Sequence, residues 1–234
     1  SDTGQSGNKS HPFRTISAAL AYARTATVSD ILVARRGGVS TYQEPLVLIS
    51  GVNLRGGYSA TFLDAEKDMS YGNQTRVAIP GTLLFALNIT GTTTVEGFQL
   101  TATDSASAIG LISGSNNNLT VQYNRFETSV NQPGPSYGLL VQNSGTTHAN
   151  GPIIRHNAIL SGNVTTPSSI TAAARLENSA LQLRNNYIKS GTIVNGIANF
   201  LSLASGLLVV NSNPLAVNNV IISNSVASGS DAWS

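Results

Sequence analysis

A short phrase built around asparagine recurs through the second half of the chain. Each copy places an asparagine two residues before an apolar residue, inside a segment that otherwise has the composition of a β-strand. Asparagine is depleted from strand interiors, so its repetition there calls for a specific role. The four copies are Asn124 in VQYNRFE, Asn157 in IRHNAIL, Asn186 in LRNNYIK and Asn219 in VNNVIIS.

The spacing of these copies predicts a repetitive fold. Successive asparagines are 33, 29 and 33 residues apart, and Phe98 in VEGFQL occupies the equivalent point 26 residues before the first of them. A loose period in this range is typical of a solenoid. The short apolar runs are joined neither by two-residue Asn-Gly loops nor by helices, which argues against hairpins and βαβ units. The sequence therefore predicts an all-β chain wound as a parallel β-helix.

The repeated asparagines are interpreted as structural. A β-helix turns sharply between its sheets, and a turn residue there often needs the left-handed backbone conformation, which Asn tolerates better than any residue except Gly. Stacked rungs lie ~4.8 Å apart, so an Asn at the same corner of every rung can hydrogen-bond to the next in a ladder. The predicted structural corner consists of Asn124, Asn157, Asn186 and Asn219.

Composition restricts the function classes. Only 10% of the 234 residues are charged, far below the ~25% of ordinary soluble domains. The basic residues are scattered and no basic run is interleaved with aromatic residues, so no nucleic-acid partner is expected. No apolar run approaches the ~20 residues of a membrane span. With no cysteine in the chain, Cys nucleophiles and thiolate metal sites are excluded.

The segment PFRTISAALAYARTA predicts the one helix of the chain. Ile16, Leu20 and Ala23 recur at helical spacing, and Thr15 can act as the N-cap. The first rung of a β-helix exposes unpaired backbone groups, which are an aggregation hazard. We therefore expect a short N-terminal capping α-helix, at roughly residues 14–26, to cover that edge.

The other end of the predicted solenoid shows no such helix. After the last repeat the sequence reads ISNSVASGSDAWS. We expect this edge to be covered by a loop containing Trp233, to continue into a longer protein with further domains, or to stack on another subunit. The prediction is one domain, with a capping segment at 1–29, rungs at 30–225 and a tail at 226–234.

Two stretches, together with the asparagine corners, resemble the right-handed parallel β-helix proteins of the pectate-lyase-like superfamily, and most closely bacterial secreted and surface members. SDTGQSGNKSHPFRTISAALAYA is similar to their Gly-rich N-terminal segment, Pro-Phe-x-Thr-Ile and capping helix. GVNLRGGYSATF is similar to their Gly-Gly-aromatic rung. The resemblance implies a right-handed parallel β-helix over nearly the whole chain. It leaves the function open, since the superfamily includes lyases, hydrolases, epimerases, adhesins and tailspikes.

No catalytic constellation stands out in the repeats. The paired aspartates of sugar hydrolases are missing, and the acidic residues between 81 and 225 are far apart in the sequence. An enzyme acting on polysaccharides would therefore need acids and bases from adjacent rungs to converge in one groove. The candidates for that role are Arg155, Arg184, Glu127 and Glu177.

Four residues are candidates for binding glycans. Arg155 and Arg184 each lie two residues before a corner asparagine, so they can stack on one outer face as a small basic stripe for acidic glycans. The alternative is that they are solvated outward positions. Tyr58 and Tyr137 lie next to glycines and can offer rings on which sugars stack, or can instead pack against a neighbouring segment.

One acidic segment is a candidate for Ca²⁺, and no other cofactor is predicted. Asp64, Glu66 and Asp68 stand at alternate positions in DAEKD. Calcium prefers such carboxylate ligands, but an EF-hand-like loop would need a glycine where Met69 stands. The alternative is a solvated acidic loop between rungs.

These observations favour a non-enzymatic structural or adhesive protein at the cell surface or outside the cell, with any export signal already removed. Such a protein would assemble with itself, as a homo-oligomer or a filament, through an uncapped C-terminal rung. The alternative function is a β-helix protein that binds or cleaves polysaccharides. Surface glycans are the partners expected in that case.

Overall fold

The chain folds into a parallel β-helix, which confirms the fold predicted from the repeats. Each rung, meaning one turn of the solenoid, contributes strands to three sheets that run along its length. The computed structural model describes residues 6–36, 41–63, 67–70, 72–104, 107–128, 131, 133–166, 169–194 and 202–227. Within these ranges, every pair of named strands is parallel.

Each sheet is a row of strands, and neighbours in the row come from successive rungs. Sheet 1 contains β1 (Asp30–Ala34), β3 (Asn53–Tyr58), β6 (Thr93–Glu96), β9 (Leu119–Gln122), β12 (Ile153–Arg155), β15 (Gln182–Arg184) and β19 (Leu215–Val217). Sheet 2 contains β4 (Thr75–Ile79), β7 (Phe98–Ala102), β10 (Arg125–Thr128), β13 (Ala158–Leu160), β16 (Tyr187–Lys189) and β20 (Val220–Ile222). Sheet 3 contains β2 (Leu46–Val47), β5 (Leu84–Leu87), β8 (Ala108–Ser113), β11 (Ser136–Gln142), β14 (Ile170–Glu177) and β18 (Leu203–Val210).

Smaller elements of the described residues lie outside these sheets. A separate pair of short strands joins β17 (Ile193–Val194) to β21 (Val226–Ala227). One 3-10 turn spans His148–Asn150.

The core of the solenoid is a set of inner stacks, and each stack contains one residue from each successive rung. Side chains alternate between the inside and the outside of each strand, so the period-two pattern of the sequence sends every second residue inward. Burying a side chain of this size contributes ~1.5–3 kcal/mol relative to exposure. In sheet 1 the stack contains Leu54, Val95, Val121, Ile154 and Leu183, all fully buried. In sheet 2 it contains Val77, Leu100, Phe126, Ile159 and Ile188, all 1% exposed or less.

The predicted capping helix is present as α1 (Ile16–Ala23). Thr15 is its N-cap, with Oγ1 accepting a hydrogen bond from the backbone N–H of Ala18 at 3.2 Å. The carboxylate of Glu44 accepts from the backbone N–H groups of Ile16 and Ser17, both at 2.7 Å. A carboxylate there satisfies donors that the helix cannot satisfy itself and favours the positive end of its dipole. Glu44 therefore ties the cap to the first rung.

The helix packs across the N-terminal end of the inner stacks. Its buried residues are Ile16, Leu20 and Ala23, the positions that the helical spacing had selected. It is shorter than the predicted 14–26, because the chain leaves the helix at Arg24, the C-cap, whose N–H still donates to the carbonyl of Leu20. The first rung is thus covered by a segment that is not a repeat.

Candidate functional site

The four corner asparagines form a ladder of hydrogen bonds inside the solenoid. The backbone N–H of Asn124 donates to Oδ1 of Asn157 at 2.9 Å. The same contact joins Asn157 to Asn186 at 3.0 Å and Asn186 to Asn219 at 2.9 Å. The ladder begins at Phe98, whose N–H donates to Oδ1 of Asn124 at 3.1 Å. Each carboxamide thereby satisfies a backbone donor at the sharp turn between sheets 1 and 2.

The left-handed backbone conformation falls one residue before each ladder asparagine, which corrects the expectation that the asparagine itself adopts it. The reason is that two successive residues of the turn have different roles. The left-handed residue points its side chain outward, and the next residue points inward, where its carboxamide can reach the neighbouring rung. The left-handed residues are Tyr123, His156, Asn185 and Asn218, with φ of 54°, 55°, 54° and 53°.

Two of these left-handed positions carry an aromatic residue in place of asparagine. The conformation costs a residue other than Gly about 1–2 kcal/mol, and Asn, as at Asn185 and Asn218, tolerates it best. Tyr123 and His156 instead place aromatic rings there. The two rings stack on the outside of the solenoid, with centroids 5.0 Å apart and planes 5° apart. This corner therefore displays an aromatic pair at a conformational cost.

The two candidate arginines lie beside that aromatic pair, on the outer face of sheet 1. Arg155 and Arg184 are directly opposite each other in the register of β12 and β15, and both are exposed. Nε of Arg155 donates to Oε1 of Gln122 at 2.7 Å. Arg184 makes no ion pair with any residue that the structure describes. Like charges directly opposite on paired strands repel, so these two residues form an uncompensated arginine stripe.

Glu96 belongs to the same row of sheet 1 as the two arginines, but its carboxylate is paired with other cations. It is buried, and its Oε1 contacts Nη1 of Arg55 at 2.9 Å and Nζ of Lys67 at 2.6 Å, while Gln122 donates to its Oε2. Burial raises the pKa of Glu96, but the hydrogen bonds from Lys67 and Gln122 and the charges of Lys67 and Arg55 outweigh burial and leave this pKa lowered. The charge of Glu96 therefore neutralises Arg55 and Lys67, and it does not neutralise the arginine stripe.

The two acids considered for catalysis are also paired within their own sheets. Glu127 on sheet 2 accepts from Nε of Arg125 at 2.5 Å. Glu177 on sheet 3 pairs with Arg175. A hydrogen bond from Gln142 and the pairing with Arg175 lower the pKa of Glu177, against a smaller rise from burial. The two acids lie on different sheets from each other and from the arginine stripe, so the four catalytic candidates do not converge.

Neither Tyr58 nor Tyr137 presents its ring to solvent. Of the two alternatives for these residues, packing against a neighbouring segment agrees with their burial, and a sugar-stacking platform does not. Tyr58 is 3% exposed, and Nζ of Lys67 lies 5.3 Å from its ring centroid. Tyr137 is 6% exposed, with the guanidinium of Arg175 at 5.0 Å. The neighbouring glycines serve close packing: a Cβ at Gly138 would meet two backbone carbonyl oxygens at 2.8 Å. The cations stabilise these rings and lie over them.

The exposed aromatic residues at the corner are ones that the sequence analysis did not select. Tyr123 and Tyr187 are 37% and 40% exposed. One directly precedes Asn124 and the other directly follows Asn186, so aligning the repeats on the asparagines could have assigned both to the outside of the turn. We call the surface formed by Tyr123, Arg155, His156, Arg184 and Tyr187 the corner surface.

The proposed calcium ligands are only partly within the described residues. Asp64 and Glu66 lie outside them. Asp68 is half-buried. Its carboxylate accepts hydrogen bonds from the side chain and from the backbone N–H of Ser70, the latter at 2.8 Å, and from Nδ2 of Asn73 at 2.7 Å, and these bonds lower the pKa of Asp68. Across the ranges that the structure covers, no three His, Asp or Glu residues are grouped so as to hold a metal ion. Calcium binding at this segment stays a prediction.

The last described rung, formed by β18, β19 and β20 and called the terminal rung, exposes the end of the inner stacks. Val209 and Ile221 occupy inward positions and are 42% and 43% exposed. Their partners one rung earlier, Leu176 and Ile188, are completely buried. The terminal rung thus lacks, in the described part of the chain, the neighbour that buries every other rung.

Among the described residues, the edges of the terminal rung have no pairing strand and no charge. No strand within the described ranges pairs with the far side of β18, β19 or β20. No charged residue occurs between positions 190 and 230, although charged side chains are the usual protection of a free strand edge. The loop that was expected to cover this edge contains Trp233, which lies outside the described residues.

Comparisons with other proteins bear on the family and not on the activity. The described residues include no helix of the length and apolar character needed to cross a membrane. No curated protein and no solved structure matches this chain. A family model does match it over residues 1–229. With its asparagine-cornered parallel β-helix, the chain belongs to the family described as protein of unknown function DUF1565.

Proposed function

We propose that this protein is a non-enzymatic structural or adhesive component of the cell surface or the extracellular space, and that two copies associate tail to tail through their terminal rungs. The observation that carries the proposal is the exposure of Val209 and Ile221, which are inward-facing core residues at an uncharged, unpaired edge of the described chain. Exposed apolar surface combined with free strand edges is the normal starting point for strand-to-strand association.

A second copy of the same rung is the occupant that fits this edge. Two identical surfaces can face each other across a two-fold axis only when they do not repel, and the terminal rung carries no charge. The opposite end of the solenoid offers no equivalent surface, because α1 lies over it and is held there by Glu44. Tail-to-tail contact therefore closes a dimer, whereas head-to-tail contact would require displacement of the helix.

The alternative function, cleavage of a polysaccharide, would need a base and an acid in one groove. The four residues considered for that role are distributed over three sheets, and Glu127 and Glu177 each pair with an arginine of their own sheet. No observation therefore favours a cleavage reaction over binding.

The oligomeric state tests the proposal. The wild-type chain should shift from monomer to dimer with rising concentration in size-exclusion chromatography with light scattering, and negative-stain images should show particles of doubled length. Ile221→Lys places a charge on each side of the contact and should leave a monomer at every concentration. Leu87→Lys is the matched control, because Leu87 is 51% exposed on the lateral wall, and it should dimerise like the wild type.

Three results would contradict the proposal. A wild-type monomer at the highest concentration would remove the docking role of the terminal rung. A dimer that survives Ile221→Lys would place the contact elsewhere. Filaments in the wild type would show that both ends are used, so that α1 does not block the N-terminal end.

A further inference from the structure

We propose that the corner surface binds an anionic polysaccharide chain lying along the axis of the solenoid. Its arginine stripe would hold carboxylate or sulfate groups, and its exposed rings would stack on the faces of the sugars. The site lies on the lateral wall, away from the terminal rung, so the inference does not depend on tail-to-tail assembly.

The charges of the corner surface point to an anionic ligand. Arg155 and Arg184 are opposite each other in register, so their backbones are ~4.8 Å apart and both guanidinium groups can reach one anionic group. Guanidinium forks match carboxylate and sulfate oxygens in geometry. The acids of the neighbouring rungs, Glu96 and Glu127, are occupied by other cations. An anion bound from solution would therefore relieve the repulsion between the two arginines.

The backbone at this corner points to a carbohydrate partner. Tyr123 and His156 hold stacked rings outward in a left-handed conformation that asparagine adopts more readily at the next two rungs. Strain that is retained at an exposed position is an indication of function. Aromatic rings with polar edges are suited to the apolar faces and hydroxyl groups of sugars.

The outer residues next to the turn are aligned along the axis of the solenoid. Arg125, Ala158 and Tyr187 follow one another in the same outer row of sheet 2. On the sheet 1 side of the turn, Arg155 and Arg184 are partners in the same way. An extended chain lying along the axis can therefore contact residues of successive rungs on both sides of the turn.

A polysaccharide fits this surface better than a nucleic acid. Binding of a phosphate backbone without sequence preference draws on many cations along a groove, whereas this site has two arginines on a chain with a net charge of +2. One rung further along, the corresponding outer residues are Val217, Asn218 and Val220, so the charged part of the site ends with Arg184.

The test is a titration at low ionic strength with four probes: polygalacturonate, heparin, dextran and single-stranded DNA, followed by calorimetry. Binding of polygalacturonate indicates carboxylate recognition and binding of heparin indicates sulfate recognition, and either supports the proposal. R155Q/R184Q should weaken that binding by about tenfold or more, since charge-assisted hydrogen bonds are lost. K9Q/R24Q removes two exposed cations far from the site and should bind like the wild type.

A second variant separates binding from folding. Tyr123→Asn removes a ring but relieves the left-handed strain, so it should unfold at the same or a higher temperature while binding about threefold more weakly. The proposal is overturned if neither anionic polysaccharide binds, if K9Q/R24Q weakens binding as much as R155Q/R184Q, or if Tyr123→Asn binds as well as the wild type. Equal or tighter binding of the DNA would also overturn it.

Discussion

At the N-terminal end of the solenoid, α1 lies over the inner stacks, and the inward residues of the first strand, Ile31 and Val33, are 7% and 4% exposed. At the C-terminal end, Val209 and Ile221 occupy inner positions of the same kind and are 42% and 43% exposed. The first end is held by the carboxylate of Glu44, and its sequence contains charged residues such as Arg14. The second lies in a stretch of sequence without a charge.

The difference teaches how a solenoid ends. Every rung buries its inner residues against its two neighbours, so no rung can cover its own outer edge. A cover must come from a segment that is not a repeat, as at α1, or from another molecule. The two ends are therefore expected to respond differently to mutation and to protein concentration.

Breaking the ladder in the middle should have the largest effect. Asn157→Ala removes the acceptor of the N–H of Asn124 and the donor to the carbonyls of Val121 and Arg155, both at 2.9 Å. Leaving these groups buried without partners should lower the free energy of unfolding by about 4 kcal/mol. Urea denaturation monitored by circular dichroism measures this loss in the free energy of unfolding.

The matched variant at the end of the ladder is Asn219→Ala, which should cost about 1 kcal/mol because water can replace its hydrogen bonds. Asn219 is more exposed than Asn157, whose exposure is 3%. Equal losses in the two variants would show that the terminal rung is as well covered as the interior.

Truncating the cap should have the next largest effect. Leu20→Ala leaves a cavity over the first rung and should cost about 3 kcal/mol. Since the cap belongs to the same chain, the loss should not change with protein concentration. Thermal unfolding at two widely separated protein concentrations measures it.

Val209→Ala is the counterpart at the other end. It should cost less than about 1 kcal/mol in dilute solution, because the side chain is already 42% exposed, and more as concentration rises and the dimer covers it. A cost that is the same at both concentrations would contradict the proposed contact.

Removing the buried charge of Glu96, near the capped end, should have the third-largest effect on stability. Glu96→Gln leaves Arg55 and Lys67 facing a neutral amide and should cost about 2 kcal/mol at pH 7, since both partners are partly exposed. The pKa of Glu96 is lowered in the folded state relative to the ordinary 4.5. Its contribution is therefore present above about pH 4.5 and is lost as the pH falls through the folded-state value.

Unfolding curves of wild type and Glu96→Gln between about pH 7 and pH 3 check the sign. The difference between the two proteins should shrink as the pH falls, because both side chains become neutral. A difference that grows toward acid pH would mean that Glu96 is destabilising as a carboxylate.

Among the changes at the capped end, the smallest expected effect concerns the N-cap. Thr15→Ala removes the acceptor of the Ala18 N–H and should cost about 1 kcal/mol. Ser17→Ala in the first turn is the control, and it should be neutral or slightly stabilising because Ala has the higher helix propensity. Differential scanning calorimetry of the three proteins resolves changes of this size, and equal midpoints would show that Glu44 alone holds the start of the helix.

Much of the fold could be read from single residues. The repeated asparagines located the turns, and Phe98 was placed at the right point of an earlier rung, because a side chain buried at the same corner of every rung must recur in the sequence. Thr15 and the spacing of Ile16, Leu20 and Ala23 located the cap, because helix capping and helical periodicity are local.

The candidate site was less accessible to that approach. For Tyr58 and Tyr137 the sequence left open whether the rings face solvent or pack against a neighbouring segment, since the burial of a ring depends on which loop or strand packs against it. Both are buried. The left-handed residue was assigned one position too late, because Asn suits both roles at the turn and only the direction of its side chain distinguishes them.

The sequence by itself determined the repeat, the class of fold and the presence of a cap at the N-terminal end, because these follow from periodicity and local propensity along the chain. The tertiary structure decided which charges are neutralised and which are not. Glu96 meets Lys67 across 29 positions of sequence, and Arg155 meets Arg184 across the same number. Contacts between rungs depend on the register of stacking and on the length of each loop, and neither is encoded in one rung alone.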